Sequence, residues 1–324
     1  MLPLSVLDLA PVSEGGTVAV ALQNARDLAQ HVERFGYKRY WVAEHHNMAG
    51  IASAATSVVI GFVAAHTSTI RVGAGGIMLP NHSPMVIAEQ FGTLESLYPG
   101  RIDLGLGRAP GTDRHTMMAL RVDPRASDNF PQDVVELQSL LGPLQPGQTI
   151  QAVPGTNTNV PLWILGSSLF GAKLAGLLGL PFAFASHFAP AELMQALEVY
   201  RESFEPSAQL QRPYVMAGVN VIAAETDAEA KYLFTSLQQR FTDMVRGHRG
   251  LTKPPIDDIE AYWTAPEKMQ AQRMLACSFM GSPATLKKEL ADFLERTGVD
   301  ELMVASMIYD HKARVRSYEL LASV

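Results

Sequence analysis

Short apolar runs alternate with amphipathic helical repeats from one end of this chain to the other, and that alternation restricts the fold more than any other feature. Residues 4–9 read as a first strand. Val18, Ala21, Leu22, Ala25, Leu28, Ala29, Val32 and Phe35 then recur at helical spacing, and Gly36 closes that helix. Further strands are predicted at 40–43, 70–75, 102–106, 161–165, 182–185, 214–223 and 301–305. Helices fall between them. One runs through Val58, Val59 and Phe62, and one opens at Ser83-Pro84 and stops at Pro99-Gly100. Others cover 169–178 and the stretch from Ser282-Pro283 to Gly298. Such alternation implies parallel βαβ units. Eight strands make a closed (β/α)8 TIM barrel the expected architecture, and 324 residues suit one such domain covering 1–324.

The alternative is an open doubly wound sheet, which needs a phosphate-binding glycine turn after its first strand. Here that strand ends in Asp8-Leu9-Ala10-Pro11. Gly105-Leu106-Gly107-Arg108 is no dinucleotide fingerprint, because it follows a fourth strand and Pro110 delays any helix. Two stretches exceed a normal βα connection: 109–159, with a helix around 134–141, and the polar, proline-bearing 247–266. Neither is large enough for its own core, so both read as insertions, after strands 4 and 7.

Charge narrows the partners. The net charge is −6 and the basic residues are scattered, which argues against nucleic acid and anionic membrane surfaces. A single cysteine, Cys277, allows no internal disulfide and reads as a small buried apolar residue in a reducing compartment. The start of the chain has no basic leader. The most apolar stretch, 54–65, contains Thr56, Ser57 and Gly61 and is too short to span a bilayer. A cytoplasmic protein is expected.

Barrel enzymes place their chemistry at the C-terminal ends of the strands. Unusual residues collect there: Glu44-His45-His46-Asn47 after the second strand, Gly75 to His82 after the third, Gly107 to Gly111 after the fourth, Gly166-Ser167-Ser168 after the fifth and Ser186-His187-Phe188 after the sixth. Adjacent side chains diverge, so only one of His45 and His46 can face the mouth, as a general base or proton donor. A histidine held by Glu44 for structural reasons is the competing reading. No metal is expected, because a site needs three or four convergent ligands and this pair points apart. Gly166, Ser167 and Ser168 precede a helix whose free amides suit a phosphate, and Arg108 could add a guanidinium fork. An ordinary serine cap and a solvated arginine are the alternatives. The glycines at 73, 75 and 76 suggest unusual torsion or a planar ligand close by; barrel crowding would also explain them.

Three segments resemble the bacterial luciferase-like flavin monooxygenases: Trp41 to His46, Val72 to Pro80 and Gly100 to Arg108. The resemblance covers nearly the whole chain and is weakest over 114–160 and 247–276. It implies that His45 is the active-site histidine and that Arg108 and Ser167 hold the flavin phosphate. Gly75-Gly76 then matches a non-proline cis peptide beneath the flavin ring. The implied chemistry is activation of O2 by reduced FMN on a small organic substrate, with a flavin reductase supplying the reduced FMN. A deazaflavin-dependent reductase of the same fold and a flavin-binding protein without turnover are the alternatives. Light-emitting members have a cysteine where this chain has Gly107, and they pair unlike subunits. That departure argues against light emission and makes a homodimer the expectation, packed through helices near the second and third strands.

Overall fold

The computed structural model describes residues 2–109 and 112–324. Nine parallel strands form: β1 (Leu4–Asp8), β2 (Arg39–Val42), β3 (Arg71–Met78), β4 (Ile102–Gly107), β5 (Leu162–Gly166), β6 (Phe182–Phe184), β7 (Val215–Ala223), β8 (Ser278–Gly281) and β9 (Glu301–Ala305). Eight close in the order β6-β5-β4-β3-β2-β1-β9-β7, with β7 returning to β6. The fold is a (β/α)8 barrel. Around it lie α1 (Val18–Arg34), α2 (Thr56–Ala64), α3 (Pro84–Leu97), α4 (Arg114–Ala119), α5 (Phe130–Leu141), α6 (Leu169–Leu177), α7 (Leu193–Glu202), α8 (Asp227–Val245), α9 (Ala265–Met274), α10 (Pro283–Thr297) and α11 (His311–Ala322).

The ninth strand, β8, departs from the sequence expectation and lies outside the ring. It exists because β7 is nine residues long and serves two partners in turn. Met216 to Asn220 pair with β9, and Asn220 to Ala223 pair with β8. The first insertion carries α4 and α5, and the second leads into α9.

Local chemistry explains the helices that wrap the barrel. Thr17 caps α1 by accepting from the Val20 amide, and Ala21, Ala25, Leu28, Ala29 and Val32 form its buried stripe. In α2, Val59, Ile60 and Val63 press on the barrel, whereas Val58 is 69% exposed. Cys277 is free and buried, and burial pushes its thiol pKa up.

Inside the barrel the side chains form layers. The floor is ionic. Arg39 Nε donates to Glu301 (2.7 Å) and its Nη1 to Asp103 (2.7 Å), while Arg71 Nη2 also reaches Asp103 (2.6 Å). The Tyr214 hydroxyl and Ser5 donate to Glu301, and the Trp41 indole donates to Asp103. Burial raises the pKa of both carboxyls, but Arg39, joined by Arg71 at Asp103 and by Ser5 and Tyr214 at Glu301, outweighs it and holds both below the usual carboxylate range. Above lies an apolar layer of Leu7, Trp41, Trp163, Ala183, Met216 and Met303, with the two indoles edge to face at 5.2 Å. Gly75 sits over it, where a Cβ would come within 3.0 Å of both Trp41 and Leu7.

Removing one side of the floor network leaves charge stranded in the interior. Arg39→Met should destabilise the protein by about 3–5 kcal/mol, because Asp103 and Glu301 lose the cation between them. Urea unfolding of the two proteins at pH 7 measures the difference.

Candidate active site

The rim at the C-terminal ends of the strands is organised by Glu44. Its side chain is 1% exposed and accepts from the Met78 amide (2.9 Å), Asn81 Nδ2 (3.1 Å), His82 Nε2 (2.9 Å) and His46 Nε2 (2.7 Å). Burial would raise the Glu44 pKa, but His82, His46 and Asn81 together hold it below the usual value. The Glu44 amide donates to the Gly76 carbonyl (3.0 Å), so the β2 and β3 ends are locked together. The Gly75-Gly76 peptide is cis, and the β3–β4 register shifts between Gly75 and Ile77.

His46 therefore takes the structural role at Glu44. Its neighbour His45 is close enough to His187, in the loop after β6, for its charge to act on that ring. Burial is the larger influence on His187, and with His45 it pushes the imidazole pKa down to about 4. The loop backbone is fixed from β7. Asn220 Nδ2 donates to the His187 carbonyl (2.6 Å) and to Ser278 of β8 (3.0 Å), and Ser186 donates to the Gly218 carbonyl (2.6 Å). A Cβ at Gly218 would stand 2.4 Å from His187 Nδ1, so glycine there makes room for the imidazole. Sequence reasoning marks this loop as polar but gives His187 no role.

The other side of the rim brings two of the expected elements together. Arg108, exposed at the end of β4, lays its guanidinium 4.1 Å from the ring centroid of Phe170, in the first turn of α6. Gly166 ends β5 and Ser167 follows. Ser168 is the N-cap of α6 with φ −145° and ψ 168°, and its side chain makes no capping hydrogen bond. Amides at that helix start are thus left for a ligand. Phe170 is a second residue that the sequence reading misses; only its place opposite a strand-end arginine could have marked it. Ser127 in the first insertion donates to the Arg108 carbonyl (3.1 Å). Pro110 and Gly111 of the same sequence motif lie outside the described residues.

Among the described residues no three His, Cys, Asp or Glu side chains are placed to hold a metal ion, and no helix is long and apolar enough to cross a membrane. The arrangement offers a cradle for an anion at α6 and an imidazole pair at the mouth. Comparison with known proteins identifies the family. The family model described as luciferase-like monooxygenase matches residues 2–301. The chain belongs to the luciferase-like monooxygenase family.

Family members similar to it include a luciferase-like monooxygenase of Escherichia coli K12, 53% identical over 99% of this chain and 96% of that protein. An N-acetyl-S-alkylcysteine monooxygenase of Bacillus subtilis is 31% identical over 99% of this chain and 98% of its own length. Among solved structures, apo-MsnO8 superposes with a TM-score of 0.93 at 38% identity, covering 100% of this chain and 98% of that one. Membership makes this barrel an oxidoreductase fold of the monooxygenase type.

The depressed His187 pKa has a stability consequence whose sign is fixed. Between pH 6.5 and about 4 the unfolded chain binds a proton that the folded protein refuses, so stability falls as pH falls through that window. Relative to His187→Gln, the parent protein should lose about 3 kcal/mol more between pH 7 and pH 4. Chemical unfolding of both proteins across that range provides the check.

Proposed function

We propose that this chain is a monooxygenase using reduced FMN and O2 on a small organic substrate, with the reduced FMN supplied by a separate reductase. The observation that carries the reading is the stacking of Arg108 on Phe170 at the start of α6. It puts a guanidinium fork beside uncapped helix amides and the Ser167 and Ser168 hydroxyls, a donor set that suits a phosphate dianion. FMN ends in such a phosphate. Gly166, Ser167, Ser168 and Arg108 would hold it, and Gly75 and Gly76 would lie beneath its ring system. When bound and reduced, FMN supplies the electrons with which O2 is activated.

The chain's own residues do the rest. His45, at the mouth beside His187, holds or moves a proton at the reacting centre. His187 stays neutral at pH 7 because it is buried, so one of its ring nitrogens remains an acceptor. Glu44 fixes the β3 end on which the ring system would rest, through the Met78 amide. The Bacillus subtilis relative named for N-acetyl-S-alkylcysteine supports a small organic molecule as the oxygen acceptor here. The expected homodimer, through the face of α2 that exposes Val58, belongs to the same proposal.

Arg108→Ala tests the cofactor assignment. FMN affinity should fall roughly tenfold to hundredfold, as loss of a charge-assisted hydrogen bond of about 1.5–3 kcal/mol requires. Riboflavin, which lacks the phosphate, should bind as before, and Arg108→Lys should recover only part of the loss. Equal losses for FMN and riboflavin would instead mean that the loop had been disrupted.

His45→Ala should slow turnover at least tenfold while leaving FMN affinity within about twofold, since positioned proton transfer contributes on the order of 10²–10⁴ in rate. Steady-state oxygen consumption beside an FMN titration separates the two quantities, and unchanged turnover would remove His45 from the mechanism.

A further inference from the structure

Helix α8 leaves the C-terminal end of β7 and runs along the rim, and most of its circumference is accounted for. Phe234, Leu237 and Phe241 pack in a cluster with Ile222, Trp263, Met307 and Ile308. The next side is covered by the second insertion. There Thr235 Oγ1 accepts from the Ile256 amide (2.9 Å), Gln239 donates to the Pro254 carbonyl (2.8 Å), and Asp243 holds Lys253 (2.7 Å) and the Tyr262 hydroxyl (2.6 Å). Lys231 and Tyr232 face solvent. Ser236 and Arg240, one turn apart, share the remaining sector.

That sector faces the loop carrying His45. A Cβ at Gly50 would stand 2.2 Å from the Gly250 carbonyl and 3.3 Å from Arg240 Nη1, so the backbone of 250 requires glycine there and the guanidinium packs against the same loop. The adjoining wall runs from Gly50 to Val12 to Thr252 through two backbone hydrogen bonds of 3.1 and 2.9 Å. Two hydroxyls here, Ser236 Oγ and Thr252 Oγ1, are buried without a partner among the described residues.

Arg240 has no ion pair and no hydrogen bond among the described residues. Part of its side chain reaches the surface, yet its surroundings are dense enough that desolvation alone lowers its pKa. Two buried arginines behave differently: Arg39 holds Asp103 and Glu301, and Arg314 holds Asp8 at 2.6 Å. A largely desolvated cation on the helix face of an unsatisfied hydroxyl suits an anion.

We propose that Arg240, with the Ser236 hydroxyl beside it, receives a carboxylate group of the organic substrate. The guanidinium fork matches a carboxylate bidentately, and Ser236 supplies a further donor from the same helix face. Bound there, an anionic substrate lies against the loop that bears His45. That an anion binds at Arg240 follows from the cluster itself; that the anion is a substrate rests on the monooxygenase reading.

The test uses full-length protein without FMN and a matched pair of probes, hexanoate and hexanamide, titrated by calorimetry. Hexanoate should bind at least about tenfold more tightly than hexanamide, the margin of one charge-assisted contact. Arg240→Met should erase that preference and, with no ligand present, raise Tm, because an uncompensated buried charge has gone. Ser236→Asp places a carboxylate one turn before Arg240; it too should abolish the preference, and it decides the matter if Arg240→Met fails to fold. Arg108→Ala should leave the preference intact. Equal titration of the two probes by the parent protein, binding of neither included, overturns the proposal. So does a preference that survives in Ser236→Asp or that disappears in Arg108→Ala. Failure of the parent protein to bind FMN in a parallel titration would defeat the cofactor reading and leave this result standing.

Discussion

Arg39 sits between two buried carboxylates, and the barrel closes around that contact. Asp103 comes from β4, Glu301 from β9 and Arg39 from β2, so one guanidinium ties together strands from separate arcs of the ring. An ion cluster in an interior is expensive unless each polar atom is used. Here Arg71, Trp41, Ser5 and Tyr214 use the remaining acceptor sites. The result is a polar floor at the N-terminal end of the strands, which leaves the C-terminal end free to differ. Above the floor, Trp41 and Trp163 fill the bore, and small residues at the next level open it into a mouth.

Much of this is legible in the sequence, for physical reasons that also explain what is not. The eight ring strands are readable because each is a short apolar run bounded by turn residues and followed by a helical repeat. β8 is not, since four residues containing Ser278 and Gly281 make no such run; the strand forms only because β7 extends past the ring. The floor network is invisible for a similar reason. Arg39, Arg71 and Glu301 each begin a strand, where a charged residue reads as the solvated end of an element. Only closure of the barrel turns those ends toward one another.

At the rim, sequence reasoning finds the loops but not the division of labour within them. His45 and His46 are adjacent, and their divergence is predictable from strand geometry. Which one Glu44 holds depends on Met78, Asn81 and His82, which arrive from the end of β3 and the turn beyond it. Arg108 and the Ser167-Ser168 pair are separated by the whole first insertion. Phe170 joins them, and an aromatic residue at the start of a helix carries no signal until its partner is known. Arg240 is harder still. In a helix that also carries Glu229, Lys231 and Asp243, one more charge looks like part of a solvated face.

The contrast between the two ends of the bore supports the proposed placement of the chemistry. At the floor each charge has its counterpart, and rearrangement would break several hydrogen bonds at once. At the mouth the His187 Nδ1, Ser236 Oγ and Thr252 Oγ1 atoms are buried without partners among the described residues, and the Arg240 guanidinium lacks a counter-ion among them. A fold that satisfies its polar groups so fully below has no packing reason to leave them open above. Unsatisfied groups weaken the free protein, and they persist where a ligand completes them. The same asymmetry accounts for the glycines. Gly75, Gly218 and Gly50 lack side chains where Trp41, His187 and the Gly250 carbonyl approach closely, so the packing at the mouth depends on glycine at all three. The paired charges therefore lie at the end of the barrel that holds Arg39, and the proposed recognition at the end that holds His45. The tryptophan layer between them separates an ionic base whose charges are paired from a rim that carries unpaired polar atoms.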